Sequence, residues 1–372
     1  MNLKNPSSEV KATISVVEVM SDRNTEGYAR AVQPGEFNFP EDHGPHPEFQ
    51  TEWWYYTGNF QTENGRHFGF QFTIFRNAIS PDSIPRSSNW ASNQVYMAHF
   101  AVTDIENKQF HFFERFSRGA NQLAGAEAKP FRVWLENWSV ASIEKVISKP
   151  FPIVRLHAAE NNISIDLELE NTKPVVLHGD RGLSQKGAAP GNASYYYSLT
   201  RLDASGQIKI RENKFQVKGS AWLDREWSTS ALDTNQVGWD WFSLQLDDGR
   251  EIMYYQIRQR DGTPAKFSNG TIVEKDVTTR RIFYEEITID VLEKWTNPVG
   301  SEYPSRWRIT IPQEKLVLEI TPYLPNQELD VSIRYWEGAV KIQSIAGKKR
   351  LIGQGYVELT GYADQNQFKN FK

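Results

Sequence analysis

The 372-residue sequence contains no cysteine, which removes disulfides, thiolate nucleophiles and zinc-thiolate sites together. No apolar run approaches the roughly 18 residues that a transmembrane helix needs. The amino terminus, Met1-Asn2-Leu3-Lys4-Asn5-Pro6, lacks the apolar core of a signal peptide. The expected location is therefore the cytoplasm for the chain as given, or the periplasm and envelope if an export signal has been trimmed. There is no basic block either: 42 Lys and Arg are scattered among 46 Asp and Glu, for a net charge of −4, so nucleic acid is not an expected partner. Phosphate-cradling glycine loops, His-Glu-x-x-His and Gly-x-Ser-x-Gly are all missing, which leaves nucleotide chemistry, zinc proteolysis and the common serine esterase without support.

What is present points to strands. The length exceeds what one compact core usually serves, so two domains are expected. Ile163, Ile165, Leu167 and Leu169 alternate with polar residues, and Leu316, Leu318 and Ile320 keep the same period of two. Asn64-Gly65, Asp248-Gly249 and Asp261-Gly262 sit between such runs as hairpin turns. The predicted class is all-β, two tandem antiparallel barrels. Residues 1–31 form a lead-in, 32–227 the first domain and 228–372 the second, with the boundary after Trp227 where Ser228-Thr229-Ser230 begins a polar link. Gln94 to Thr103 and Phe283 to Lys294 are the least clear segments, and the second reads equally as a helix or a pair of edge strands.

The aromatic load is high, with 12 Trp, 15 Tyr and 21 Phe, and carboxylates are embedded in it. Three clusters carry them: Glu52-Trp53-Trp54-Tyr55-Tyr56, Trp222-Leu223-Asp224-Arg225-Glu226-Trp227 and Trp239-Asp240-Trp241. Alternate strand residues share a face, so Trp222 goes with Asp224 and Trp239 with Trp241. An acid beside an indole on an inward face loses hydration and stays protonated to higher pH, which suits it to protonate an unreactive alkene. Aromatic faces then stabilise the resulting cation by about 0.5–2 kcal/mol each. The plainer reading is a core of aromatics with a carboxylate paired to Arg225 or Arg115. Tyr195-Tyr196-Tyr197 places two tyrosines on one face whatever the function. His99, inside an apolar stretch, is either a bonded core histidine or a polar member of a cavity. His43 and His46 with Glu52 have metal-like spacing but lie in a Pro- and Gly-rich loop, and no metal or other cofactor is expected.

At these clusters the sequence resembles the AttH-like, carotenoid 1,2-hydratase-related proteins with tandem lipocalin-like domains, often labelled predicted secreted hydrolases. The resemblance rests on Asp42-His43-Gly44 and Thr51-Glu52-Trp53-Trp54-Tyr55, on Gly219 through Trp227, and on Gly238-Trp239-Asp240-Trp241-Phe242. Tyr335-Trp336-Glu337-Gly338 and Gly355 through Tyr362 complete it. It implies two lipocalin-like barrels. It also implies that Asp224 takes the place of the acid that protonates the terminal alkene in the hydratases, with Trp222 in the place of a tyrosine. The hydratases' His-x-Trp motif is replaced by Tyr195-Tyr196-Tyr197, which keeps an aromatic lining. Met97-Ala98-His99 and Phe113-Glu114-Arg115 look like hydratase counterparts near the cavity.

Two functions follow as expectations. One is a cofactor-independent lyase, hydratase or cyclase, acting on an isoprenoid- or carotenoid-like alkene. In that reading Asp224, Trp222, Tyr195, Tyr197 and His99 carry the chemistry, while Glu52, Trp53, Trp54, Trp227, Trp239, Asp240, Trp241 and Glu226 hold the ligand. The other is a carrier that binds a lipid or pigment without changing it, with a transporter permease as partner. A hydrolase ranks last for want of a nucleophile and base.

Overall fold

The computed structural model describes residues 25–82, 88, 90–143, 150–230, 232–346 and 350–363, so most of the sequence-defined lead-in lies outside them. Among the described residues strands dominate, and helix is confined to three short 3-10 turns. The first sheet has 13 strands. Its central neighbours, in spatial order, are Gln94–Asp104, His67–Ala78, Thr51–Gln61, Asn213–Ser228, Ala193–Ile210 and Ile163–Asn171, all antiparallel. The second sheet has 10 strands and centres on Glu251–Gln259, Gln236–Leu246, Ile352–Leu359 and Tyr335–Ser344. Each sheet curls round its own core, giving two tandem lipocalin-like barrels. The chain leaves the first sheet at Ser228 and enters the second at Gln236. Both ambiguous segments are extended: one is the strand Gln94–Asp104, and the other runs from Thr279–Phe283 through a turn at Tyr284–Glu286 into Thr288–Thr296. Among the described residues no helix is long and apolar enough to cross a membrane.

The period of two decides which side chains go inside. In Thr51–Gln61, Trp54, Tyr56 and Phe60 fill the first barrel, while Trp53 and Tyr55 point out of it. In Gln236–Leu246, Phe242, Leu244 and Leu246 fill the second barrel, while Trp239 and Trp241 point out. Neither outward face is solvated. The two meet and form a third apolar cluster that includes Tyr55, Tyr196, Trp222, Trp241, Tyr255 and Tyr356. Burial of aromatic surface at about 25 cal/mol per Å² makes this junction a core in its own right. At Gly69 the backbones come so close that a Cβ would lie 2.6 Å from Ala339 Cβ and 2.9 Å from the Tyr356 hydroxyl, leaving no room for a side chain.

Polar contacts lock the junction. Glu251 of the second barrel is fully buried and bridges Lys173 Nζ and Arg201 Nε of the first, each at 2.6 Å. Gln245 Nε2 donates to the Thr200 and Ala221 carbonyls, and Asn59 Nδ2 donates to Gly355 O.

Candidate functional site

A cavity of about 610 Å³ opens between the barrels, and each barrel interior is filled with side chains. Trp53, Tyr55, Phe75, Met97 and Tyr196 form its first-barrel wall, and Trp239, Trp241, Tyr255, Ile257 and Tyr335 face them from the second. Its volume falls in the range of about 300–1,000 Å³ typical of small-molecule sites, and the lining is mostly apolar.

Asp224 enters from the first-barrel wall, 4% exposed. Its register partners explain its surroundings: Tyr55 on one side and Ser198 on the other, with Trp222 two residues back on the same face. Trp222 Nε1 donates to Oδ1 at 2.6 Å, Ser198 Oγ also donates to Oδ1, and the Tyr196 hydroxyl donates to Oδ2. Among the described residues no cation pairs with it. Arg225 lies on the opposite face, where it pairs with Glu52, Arg115 pairs with Glu136 and Glu160, and Lys186 pairs with Glu226 at 3.3 Å. Burial therefore outweighs the three hydrogen bonds and pushes the Asp224 carboxyl up to about 7.

The network also fixes where the Asp224 proton sits. Tyr196 accepts from Trp241 Nε1 at 3.0 Å, so its own proton goes to Asp224. Ser198 Oγ has one proton and spends it on Oδ1, so His178 Nε2, 2.6 Å away, must donate to Ser198. His178 Nδ1 then accepts from Thr271 Oγ1 at 2.8 Å, and burial pushes that imidazole down to about 3, keeping it neutral. With two donors on Oδ1 and one on Oδ2, the remaining lone-pair position is on Oδ2, and the acidic proton belongs there.

The facing wall carries carboxyls of its own. Glu358 lines the cavity, bonded to Trp239, and burial pushes it up to about 8. It is partly exposed and among the residues that line the cavity, while its strand neighbours Val357 and Leu359 are buried in the second barrel. At one end Lys186 lies 3.7 Å from the Tyr255 ring centroid; burial opposes its charge, but Glu226 and Tyr255 hold its pKa above the ordinary lysine value. At another, His99 joins the barrels: Nδ1 meets the Tyr335 hydroxyl at 2.8 Å and Nε2 meets Glu114 at 3.0 Å, while Glu114 accepts from Ser332.

The sequence-derived residues thus divide. Asp224, Glu226, His99, Trp53, Trp239 and Trp241 line one cavity, and Trp222 stands directly behind Asp224. Tyr197 points into the first barrel and bonds His43 at 2.6 Å; Tyr195 is half-buried against Trp227 and bonds Gln33 O. Trp54 lies in that core beneath the Arg225 guanidinium, and Trp227 stacks on His46 with centroids 3.8 Å apart. Glu52 is buried between Arg225 and Arg76, which hold its carboxyl well below the usual range against the opposing effect of burial. Asp240 faces away from the cavity, paired with Arg258 at 3.1 Å and bonded by Tyr362. Both ring nitrogens of His43 are taken, by Tyr197 and by Pro150 O. Sequence reasoning passed over Tyr196, Tyr55, Lys186, His178, Glu337 and Glu358. Alternation from Asp224 across the sheet would have selected Tyr196 over its neighbours only with the register known.

Fold and site together define a class: a double lipocalin-like barrel that encloses an aromatic cavity with buried acids at the barrel junction. The chain belongs to the AttH-like family, whose profile matches residues 30–362. A crystal structure of an AttH candidate from Nitrosomonas europaea is similar at 32% identity and a TM-score of 0.79, covering 90% of this chain and 99% of that one. Kievitone hydratase from Nectria haematococca shares the fold at 16% identity and a TM-score of 0.67, covering 90% and 97%. No curated protein matches the sequence.

Proposed function

We propose that this chain is an acid–base lyase, a hydratase or cyclase, that protonates an isoprenoid-type alkene held between the barrels. The observation that carries this reading is Asp224: a buried carboxyl without a cationic partner, in an aromatic wall, whose free proton position is on Oδ2. Such a group is protonated near neutral pH and strong enough to donate, the balance a general acid needs. Proton transfer from Oδ2 to one alkene carbon leaves a cation on the other. Trp53, Trp239 and Trp241 line that space, and cation–π attraction of about 0.5–2 kcal/mol per ring favours charge there. Water addition gives the hydratase outcome, and attack by a second double bond gives the cyclase outcome. The chemistry needs only side chains, so no cofactor is invoked. Kievitone hydratase shares the fold, and its name gives the reaction class to test first.

The test uses wild-type protein and Asp224→Asn with a panel of lycopene-like and shorter isoprenoid alkenes in ¹⁸O-labelled water, with native mass spectrometry for retained ligand. Wild type should convert a panel member, and the variant should keep ligand while turnover falls toward the upper end of the roughly 10²–10⁴-fold contribution of a general acid. Wild-type turnover in the variant would remove Asp224 from the mechanism. Retention without conversion in either protein would establish a carrier.

A further inference from the structure

The geometry points to Glu358 as a second proton-handling group, positioned by Glu337 and facing Asp224 across the cavity, which accepts the proton of the attacking water. This rests on the lyase reading and adds to it the group that completes hydration.

Glu337 and Glu358 are register partners on adjacent antiparallel strands, so their side chains leave the same face about 4.5–5.5 Å apart at Cβ. Glu337 is fully buried, Oε1 accepts from the Tyr55 hydroxyl, and Oε2 has no hydrogen-bond partner among the described residues. A buried carboxylate oxygen without a donor is costly, which favours the neutral, protonated form of Glu337. Two adjacent carboxyls cannot both ionise cheaply, so the pair retains a shared proton. Glu358 loses its proton as pH rises through about 8, and in that ionised state this member of the pair, which lines the cavity, is free to accept another while Glu337, held well above the ordinary carboxyl range, keeps its own.

The charged and titratable groups around the pair are Asp224 and Glu226 from the first barrel and Tyr55, Tyr335 and Tyr356 beside it. Lys186 is committed to Glu226. Burial first, then mutual repulsion, raises Glu337, while Asp224 and Glu226 add to the rise at Glu358.

The step balances. The alkene π pair takes the proton from Asp224 Oδ2 and forms a C–H bond; a water lone pair forms the C–O bond as one water proton passes to Glu358. The product is the alcohol, and the proton returns from Glu358 to Asp224 through water, with no redox change.

Glu358→Gln and Asp224→Asn separate the halves of the reaction. In D₂O, Glu358→Gln should still exchange deuterium into the alkene at a tenth of the wild-type rate or better, because cation formation is reversible, while ¹⁸O incorporation falls about 10²-fold or more. Asp224→Asn should lose both. Undiminished ¹⁸O incorporation in Glu358→Gln, or equal loss of exchange and hydration, would overturn the assignment. If wild type converts no panel alkene, the lyase reading fails and Glu358's role in water addition fails with it. Infrared titration of the full chain then judges the pair alone. A carboxyl band that persists above pH 7 and is lost in both Glu337→Gln and Glu358→Gln supports the shared proton, and its absence from wild type refutes it.

Discussion

At Asp224 the burial that keeps a proton available also makes stability depend on pH. The carboxyl is raised from about 3.9 in the unfolded chain to about 7 in the fold, so the native state binds more protons between those values. The sign follows: its contribution is most favourable below about pH 4 and declines as pH rises through 7, by an amount on the order of 4 kcal/mol at most. Asp224→Asn cannot ionise and keeps acceptors for Trp222 and Ser198. Its melting temperature relative to wild type should therefore climb as pH goes from 5 to 8, followed by calorimetry in matched buffers. A constant difference across that range would mean that the native carboxyl ionises near its ordinary value. Glu52 shows that burial is not the deciding variable, since it is equally enclosed yet held low by Arg76 and Arg225. What separates the two is the cation.

Along the strands, parity decides which aromatics belong to the site. Tyr195, Tyr196 and Tyr197 are consecutive in Ala193–Ile210, and only Tyr196 shares the outward face with Ser198 and Asp224. A run of three tyrosines does not by itself select a face, and Tyr195 and Tyr197, expected among the chemical groups, lie off the cavity that Tyr196 lines. Trp222 with Asp224, and Trp239 with Trp241, were legible because the spacing of two holds within one strand whatever its neighbours. Tyr196→Phe removes one donor to Asp224 Oδ2 and should move the Asp224 titration upward, since that hydrogen bond favours the charged form. Tyr195→Phe should leave it in place. Infrared titration of the carboxyl bands in both variants checks this, and a shift with Tyr195→Phe but none with Tyr196→Phe would reverse the assignment of faces.

For the whole molecule, the cavity exists only because two barrels dock. Glu251 holds that arrangement with Lys173 and Arg201, fully buried, and removing one partner of such a cluster typically costs about 3–5 kcal/mol. Wild type should unfold in one calorimetric transition. Glu251→Gln should melt lower, and its transition should broaden or split as the barrels uncouple. A single transition at the wild-type temperature would show that the apolar junction alone carries the docking.

Composition, periodicity and turn residues determined the all-β class, the double barrel and the aromatic clusters with their acids, because strand alternation and hairpin turns are properties of neighbouring residues. Resemblance to the hydratase-related family over Gly219 to Trp227 then singled out Asp224 among those acids. Only the tertiary structure decided that Arg225 pairs with Glu52, that Glu52 belongs to an ion network, and that the aromatic cavity lies between the barrels. Glu358 was visible in the sequence as one acid in Gly355-Tyr356-Val357-Glu358, without any sign of chemistry. Its meaning depends on pairing Ile352–Leu359 with Gln236–Leu246 and on setting that face against Asp224, and such long-range register and docking are fixed by packing across the whole fold.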